Sequence, residues 1–252
     1  MQTAKLRNML YLHRAKKVRL FIILFGLVLA FTSSTVSAQR EIYREEQDLK
    51  PYYFGLTLSA VSSHFQLEHN PSFLQQDSIL VVEAPNSPGI SLRLVAALNV
   101  TNRFELRFNP GLIFTNRPIV YKLRYADRDL GTNVTKSIES IITTFPLDIK
   151  FKSDRIGNFR VYMLGGGKID IDLAANAKAR QADDIVKISK YGYGIEGGIG
   201  FNFYRKSVTI SPEVKFSSSL NNLHDRTPAL NYSRVVDRIM SRMIIFSIHL
   251  EG

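Results

Sequence analysis

The 252-residue chain contains no cysteine, which excludes a disulfide framework, a thiolate metal site and a cysteine nucleophile. It also has no run of 18 apolar residues after its first 38 positions, which excludes a transmembrane helix in that stretch. A large excess of one charge is missing as well. Six of the 33 basic residues, Lys5, Arg7, Arg14, Lys16, Lys17 and Arg19, stand in an opening segment without acids, and the remaining 214 residues carry 27 basic against 22 acidic side chains. That balance gives no electrostatic reason to expect a nucleic-acid partner. The histidines lack zinc spacing. Gly165-Gly166-Gly167-Lys168 lacks both the spaced first glycine and the hydroxyl residue of a phosphate loop, because Ile169 follows.

The opening segment has the order of an export signal: a basic stretch, the apolar run Leu20 to Phe31, then the small-residue site Val36-Ser37-Ala38. Twelve apolar residues are too short to span a bilayer, which takes about 20. Residues 1–38 are therefore expected to be a cleaved signal peptide, residues 39–50 a charged periplasmic lead-in, and residues 51–252 the folded domain.

Within that domain apolar and polar residues alternate with the period of two of a half-buried strand, eight times over. Phe54, Leu56, Leu58 and Ala60 alternate with Gly55, Thr57 and Ser59; Ile90, Leu92 and Leu94 with Ser91 and Arg93; Phe104, Leu106 and Phe108 with Glu105, Arg107 and Asn109. Phe145, Leu147, Ile149 and Phe151 enclose Asp148 and Lys150, and Phe159, Val161 and Met163 alternate with Arg160 and Tyr162, ahead of Lys168. The sixth segment is Tyr191 to Phe203, with glycines and Glu196 on its polar parity. The seventh sets Val214 and Phe216 against Glu213 and Lys215, and the eighth sets Ile244, Phe246, Ile248 and Leu250 against Ser247, His249 and Glu251.

The connections alternate too. Short turns near 99–103, 153–158 and 204–206 separate long stretches near 68–88, 116–137, 171–187 and 218–240. This asymmetry predicts an all-β fold: an eight-stranded antiparallel up-and-down transmembrane β-barrel with short periplasmic turns and long extracellular loops, in the outer membrane of a Gram-negative bacterium. Its surrounding partner is outer-membrane lipid. The interior of eight strands is only wide enough for side chains, so Arg93, Glu105, Arg107, Asp148, Lys150, Arg160, Lys168, Glu196, Glu213 and Lys215 are predicted as structural lumen charges that compensate one another. The glycines of the sixth segment would leave room for them. Pro110, Pro146 and Pro212 fall inside strands and each predicts a bulge or break, because proline donates no ladder hydrogen bond.

For catalysis, Ser62, Ser63 and His64 invite comparison with a serine–histidine lipid hydrolase, but nothing in the sequence supplies the required geometry. No catalytic, cofactor-binding or metal-binding residue is expected, and His249 is expected to fill the lumen. Beyond the membrane-sized part of strands three and four, alternation through Ile119, Tyr121, Leu123 and Tyr125, a turn at 127–131 and a return through Ile138 and Ile141 predict a projecting hairpin over 119–141. Such a hairpin is a surface for strand addition or docking.

The segments Tyr52-Tyr53-Phe54-Gly55-Leu56, Phe145-Pro146-Leu147 and the glycine-rich run Tyr191 to Gly200, behind a signal and a charged lead-in, resemble the PorT family of outer-membrane β-barrels of Bacteroidetes. The resemblance implies a non-enzymatic accessory or assembly role in type IX protein secretion and gliding motility. It also implies contact with other secretion-machinery proteins, for which the 119–141 hairpin is the candidate surface. A generic structural or adhesion barrel and an outer-membrane lipid hydrolase are the alternatives.

Overall fold

The computed structural model describes residues 41–69, 79–127, 131–174, 188–224 and 236–252; the expected signal peptide and its cleavage site lie outside the described residues. After a short 3-10 turn at Glu45–Asp48 come β1 (Tyr52–His69), β2 (Ile79–Glu83), β3 (Ser87–Asn99), β4 (Phe104–Phe108) and β5 (Gly111–Asp127). They are followed by β6 (Gly131–Lys152), β7 (Phe159–Asp172), β8 (Tyr191–Tyr204), β9 (Thr209–Ser219) and β10 (Val236–Glu251). All pairings among the described residues are antiparallel, and β1 closes the ring by pairing with both β10 and β3. β4 and β5 act as one interrupted strand, each paired to β3 and to β6, so the ring has eight members: β1, β3, β4/β5, β6, β7, β8, β9 and β10.

The two faces invert the pattern of a water-soluble domain. Phe54, Leu58 and Ile90 are exposed to 64%, 65% and 64%, whereas Thr57, Arg107, Asp148, Lys150 and Lys215 are fully buried. Charged side chains are almost never fully buried unless paired, and such broad apolar exposure is what a lipid-facing wall requires.

The prolines interrupt ladders without shifting register. Asn109 and Pro110 fall between β4 and β5, yet Phe108 faces Leu147 and Gly111 faces Thr144 in the same register. Leu94 N still donates to Pro110 O at 2.8 Å. Pro212 stays in β9, and only its pairing with β8 lapses between Gly200–Glu213 and Phe203–Ile210. The break expected at Pro146 is absent. β6 runs through it because the facing partner, Asn109, is the gap residue and donates its N–H to Pro146 O at 3.3 Å, so no bulge is needed.

The hairpin expected over 119–141 is present, and the stretch 68–88 holds a strand that the alternation did not predict. Residues 116–127 and 131–137 continue β5 and β6 as a paired hairpin, and β2 forms within the stretch 68–88 and pairs with Val120–Leu123. Long strands carry the ladder hydrogen bonds beyond the membrane-sized portion, where loop backbone would need other partners. The short turns stand where expected, with Gly157 at φ +60°, a left-handed conformation that favours glycine.

Both ends of the barrel are covered. At the long-loop end Phe65, Val82, Ile119, Tyr121, Val134, Ile188, Leu223 and Ile239 form one buried apolar cluster. The hairpin therefore turns Ile119 and Tyr121 inward instead of presenting them to solvent. At the other end the lead-in docks: Arg44 Nη1 donates to Glu251 O at 2.8 Å, Gln47 Nε2 to Gly252 O at 3.2 Å, Tyr43 N to Asn158 Oδ1 at 2.8 Å, and Arg155 to Tyr43 O. Asp48 pairs with Arg160 at 2.7 Å.

Candidate functional site

The chemically dense region is the lumen, and strand parity builds it. On each wall strand the residues flanking a lipid-facing Phe, Leu or Ile point inward. All ten residues singled out from the sequence, Arg93, Glu105, Arg107, Asp148, Lys150, Arg160, Lys168, Glu196, Glu213 and Lys215, are buried there.

Their partners lie across the ring. Arg107 on β4 donates through Nη1 to Glu213 Oε2 of β9, the diametrically opposite member, at 2.9 Å. Its Nη2 donates to Glu251 Oε1 of β10 at 2.9 Å and stands 3.5 Å from Glu105 Oε1. Lys215 is the second hub, with Nζ 2.6 Å from Glu196, 3.0 Å from Asp148 and 3.6 Å from Glu213. Lys150 lies 3.5 Å from Glu105 and 4.0 Å from Glu251, with its ammonium 3.9 Å from the centre of the Tyr162 ring. Tyr53 and Tyr162 hydroxyls donate to Glu105 at 2.6 Å and Glu213 at 2.8 Å. His249 bonds Thr57 Oγ1 through Nδ1 at 2.7 Å and approaches Glu213 at 3.3 Å.

Arg160, Lys168 and Arg93 lie apart from these hubs. Arg160 pairs with Asp48 of the lead-in, Lys168 with Asp170 at 2.5 Å, and Arg93 Nε donates to Ser91 Oγ at 2.9 Å. Nearer the long-loop end Arg117 pairs with Asp172 at 3.2 Å and covers the Phe65 ring.

Two glycines of β8 make the space. A Cβ on Gly200 would stand 2.4 Å from the Tyr162 ring, and one on Gly198 would stand 2.4 Å from Val214 O and 3.1 Å from the Lys215 side chain. The reading of the sequence missed Glu251, Lys152 and Tyr53 as members of this network. Glu251 and Lys152 share the parity of His249 and Lys150 but sit at strand ends, while Tyr53 is an aromatic on a polar parity. Parity alone would have found all three.

The serine–histidine constellation is split. Ser63 is buried inward on Thr115 Oγ1 at 2.6 Å, while alternation puts Ser62 and His64 together on the outward face, with no hydrogen bond between them among the described residues. Gly165 to Lys168 lies inside β7, paired to β6 on one side and β8 on the other, and not at the start of a helix. Among the described residues no group of three or more His, Asp or Glu is arranged to hold a metal ion, and the side chain of His69 lies outside them.

Set beside known proteins, residues 22–225 match the sequence model of the outer membrane protein beta-barrel domain family. Solved barrels are similar at low identity. The outer membrane protein OprG from Pseudomonas aeruginosa is 14% identical over 80% of this chain and 95% of its own, with a TM-score of 0.43. Neisserial surface protein A is 10% identical over 78% and 96%, with a TM-score of 0.39. The attachment invasion locus protein Ail of Yersinia pestis, solved with the heparin analogue sucrose octasulfate, is 11% identical over 81% and 100%, with a TM-score of 0.38. No curated protein matches the chain in sequence.

Proposed function

Since the chain belongs to the outer membrane protein beta-barrel domain family and resides in the outer membrane, we propose that it is an occluded, non-enzymatic barrel serving type IX protein secretion in an accessory or assembly role. The observation that carries the occluded reading is the ion pair from Arg107 to Glu213 at 2.9 Å, which joins opposite walls of the ring and leaves the lumen crossed by side chains. A conducting pore of eight strands would need that cross-section open. The secretion role draws on the PorT-like segments at Tyr52 to Leu56, Phe145 to Leu147 and Tyr191 to Gly200.

In this reading the working surface is the part that leaves the membrane. The paired extensions of β5 and β6, with β2 added at their edge, form a small sheet whose edge strand carries the exposed residues Leu80 and Val81. Edge strands with apolar side chains recruit partners by strand addition, and the partner proposed here is another protein of the secretion machinery. The deciding experiment deletes the gene and measures release of type IX substrates into the medium. Loss of release, restored by the wild-type gene, supports the role; unchanged release overturns it.

A further inference from the structure

The lipid-facing wall carries an unassigned feature where β8, β9, β10 and β1 meet. A groove of about 570 Å³ runs there between Ile195, Phe216 and Ile244, with Gly197 on its floor and His64 and Arg242 at one end. His64 and Arg242 face each other across the β1–β10 ladder. Arg242 is exposed and His64 half-buried, and neither has a hydrogen-bond or ion-pair partner among the described residues. The nearby outward carboxylate, Glu68, is taken by Arg238 at 3.6 Å.

The level of this arginine–histidine pair is informative. Going up the wall, Ile244 gives way to Arg242, Phe216 to Ser218, and Ser62 to His64 and Gln66, while the neighbouring β8 presents exposed Tyr193 and Tyr191. Tyrosine at the upper edge of an apolar band marks the headgroup level of the outer leaflet. A cation held at the hydrocarbon boundary without a protein partner is costly unless a mobile anion meets it.

We propose that this groove binds a phosphate-bearing lipid of the outer leaflet, with one acyl chain lying over Gly197 between Ile195, Phe216 and Ile244 and the headgroup phosphate between Arg242 and His64. The phosphate accepts charge-assisted hydrogen bonds from the guanidinium, and the apolar walls select the chain without specific contacts. Gly197 shapes the groove by leaving it empty: a Cβ there would meet nothing closer than Leu164 O at 3.6 Å, so the backbone does not require glycine. The site rests on the outer-membrane placement alone and is independent of any role in secretion.

The test places the full barrel in vesicles of digalactosyldiacylglycerol, a lipid without phosphate, doped with diphosphoryl lipid A or with its dephosphorylated counterpart. Lipid retained per barrel after detergent extraction is then counted by native mass spectrometry. Wild type should retain the phosphorylated lipid, the Arg242→Gln, His64→Gln double variant should retain about tenfold less, and Gly197→Leu should lose it with Arg242 and His64 intact. Heat-modifiable migration reports that each variant is folded. Equal retention of the two lipids, or undiminished retention by the folded double variant, overturns the proposal. So does a photo-crosslinker at Ser218 that captures a protein instead of a lipid in whole membranes.

Discussion

At the scale of single residues the lumen behaves as a set of hubs. Lys215 pairs with Asp148, Glu196 and Glu213 at 3.0, 2.6 and 3.6 Å, all out of reach of bulk solvent. Removing it by Lys215→Met leaves those carboxylates facing one another, and we expect a loss of about 3–5 kcal/mol. Glu196→Gln removes one of three partners and keeps a hydrogen-bonding group, for an expected loss of about 1–3 kcal/mol. Urea midpoints in lipid vesicles with unchanged slopes measure both; equal effects would contradict Lys215 as a hub. Glycine supplies a second comparison. Gly200→Ala drives a methyl against the Tyr162 ring and should cost about 1–3 kcal/mol, whereas Gly165→Ala, with nothing closer than 3.8 Å on the lipid side, should be near neutral.

At the scale of elements, two segments depend on partners far along the chain. The lead-in lacks strand or helix periodicity, yet it is ordered over the barrel end because Asp48 reaches Arg160 and Arg44 reaches Glu251 O. Asp48→Asn should expose Arg44 and Lys50 to trypsin while leaving the barrel's midpoint within about 0.5 kcal/mol, since Asp48 is partly solvated. Proteolysis as slow as in wild type would show that the remaining bonds suffice. The β5–β6 extension is the other case. Replacing residues 120–137 with a short Gly-Ser turn removes Tyr121 and Val134 from the apolar cover but leaves the membrane-level ladder from Gly111–Thr144 inward. We expect a folded, heat-modifiable barrel that no longer supports secretion; normal export from such cells would remove the hairpin from the proposed function.

For the whole molecule, closure at three levels predicts electrical silence: an apolar cluster above, ion pairs across the middle, and the docked lead-in below. Planar-bilayer recordings of the purified protein should show no stable, large conductance, and a persistent open level would contradict an occluded lumen. The sequence alone determined which residues face lipid and which face the lumen, because a period of two is local and the alternation of connection lengths leaves few architectures open. It left undetermined which lumen charges meet, and which strands pair with which beyond the membrane. Arg107 and Glu213 are 106 positions apart and touch only because ring closure sets β4 opposite β9. The strands continue past the membrane at 116–137 because their neighbours supply ladder partners there. Pro146 interrupts nothing because Asn109 is the gap opposite it. Pairings of this kind depend on register and closure, which belong to the assembled sheet and are written in no single strand.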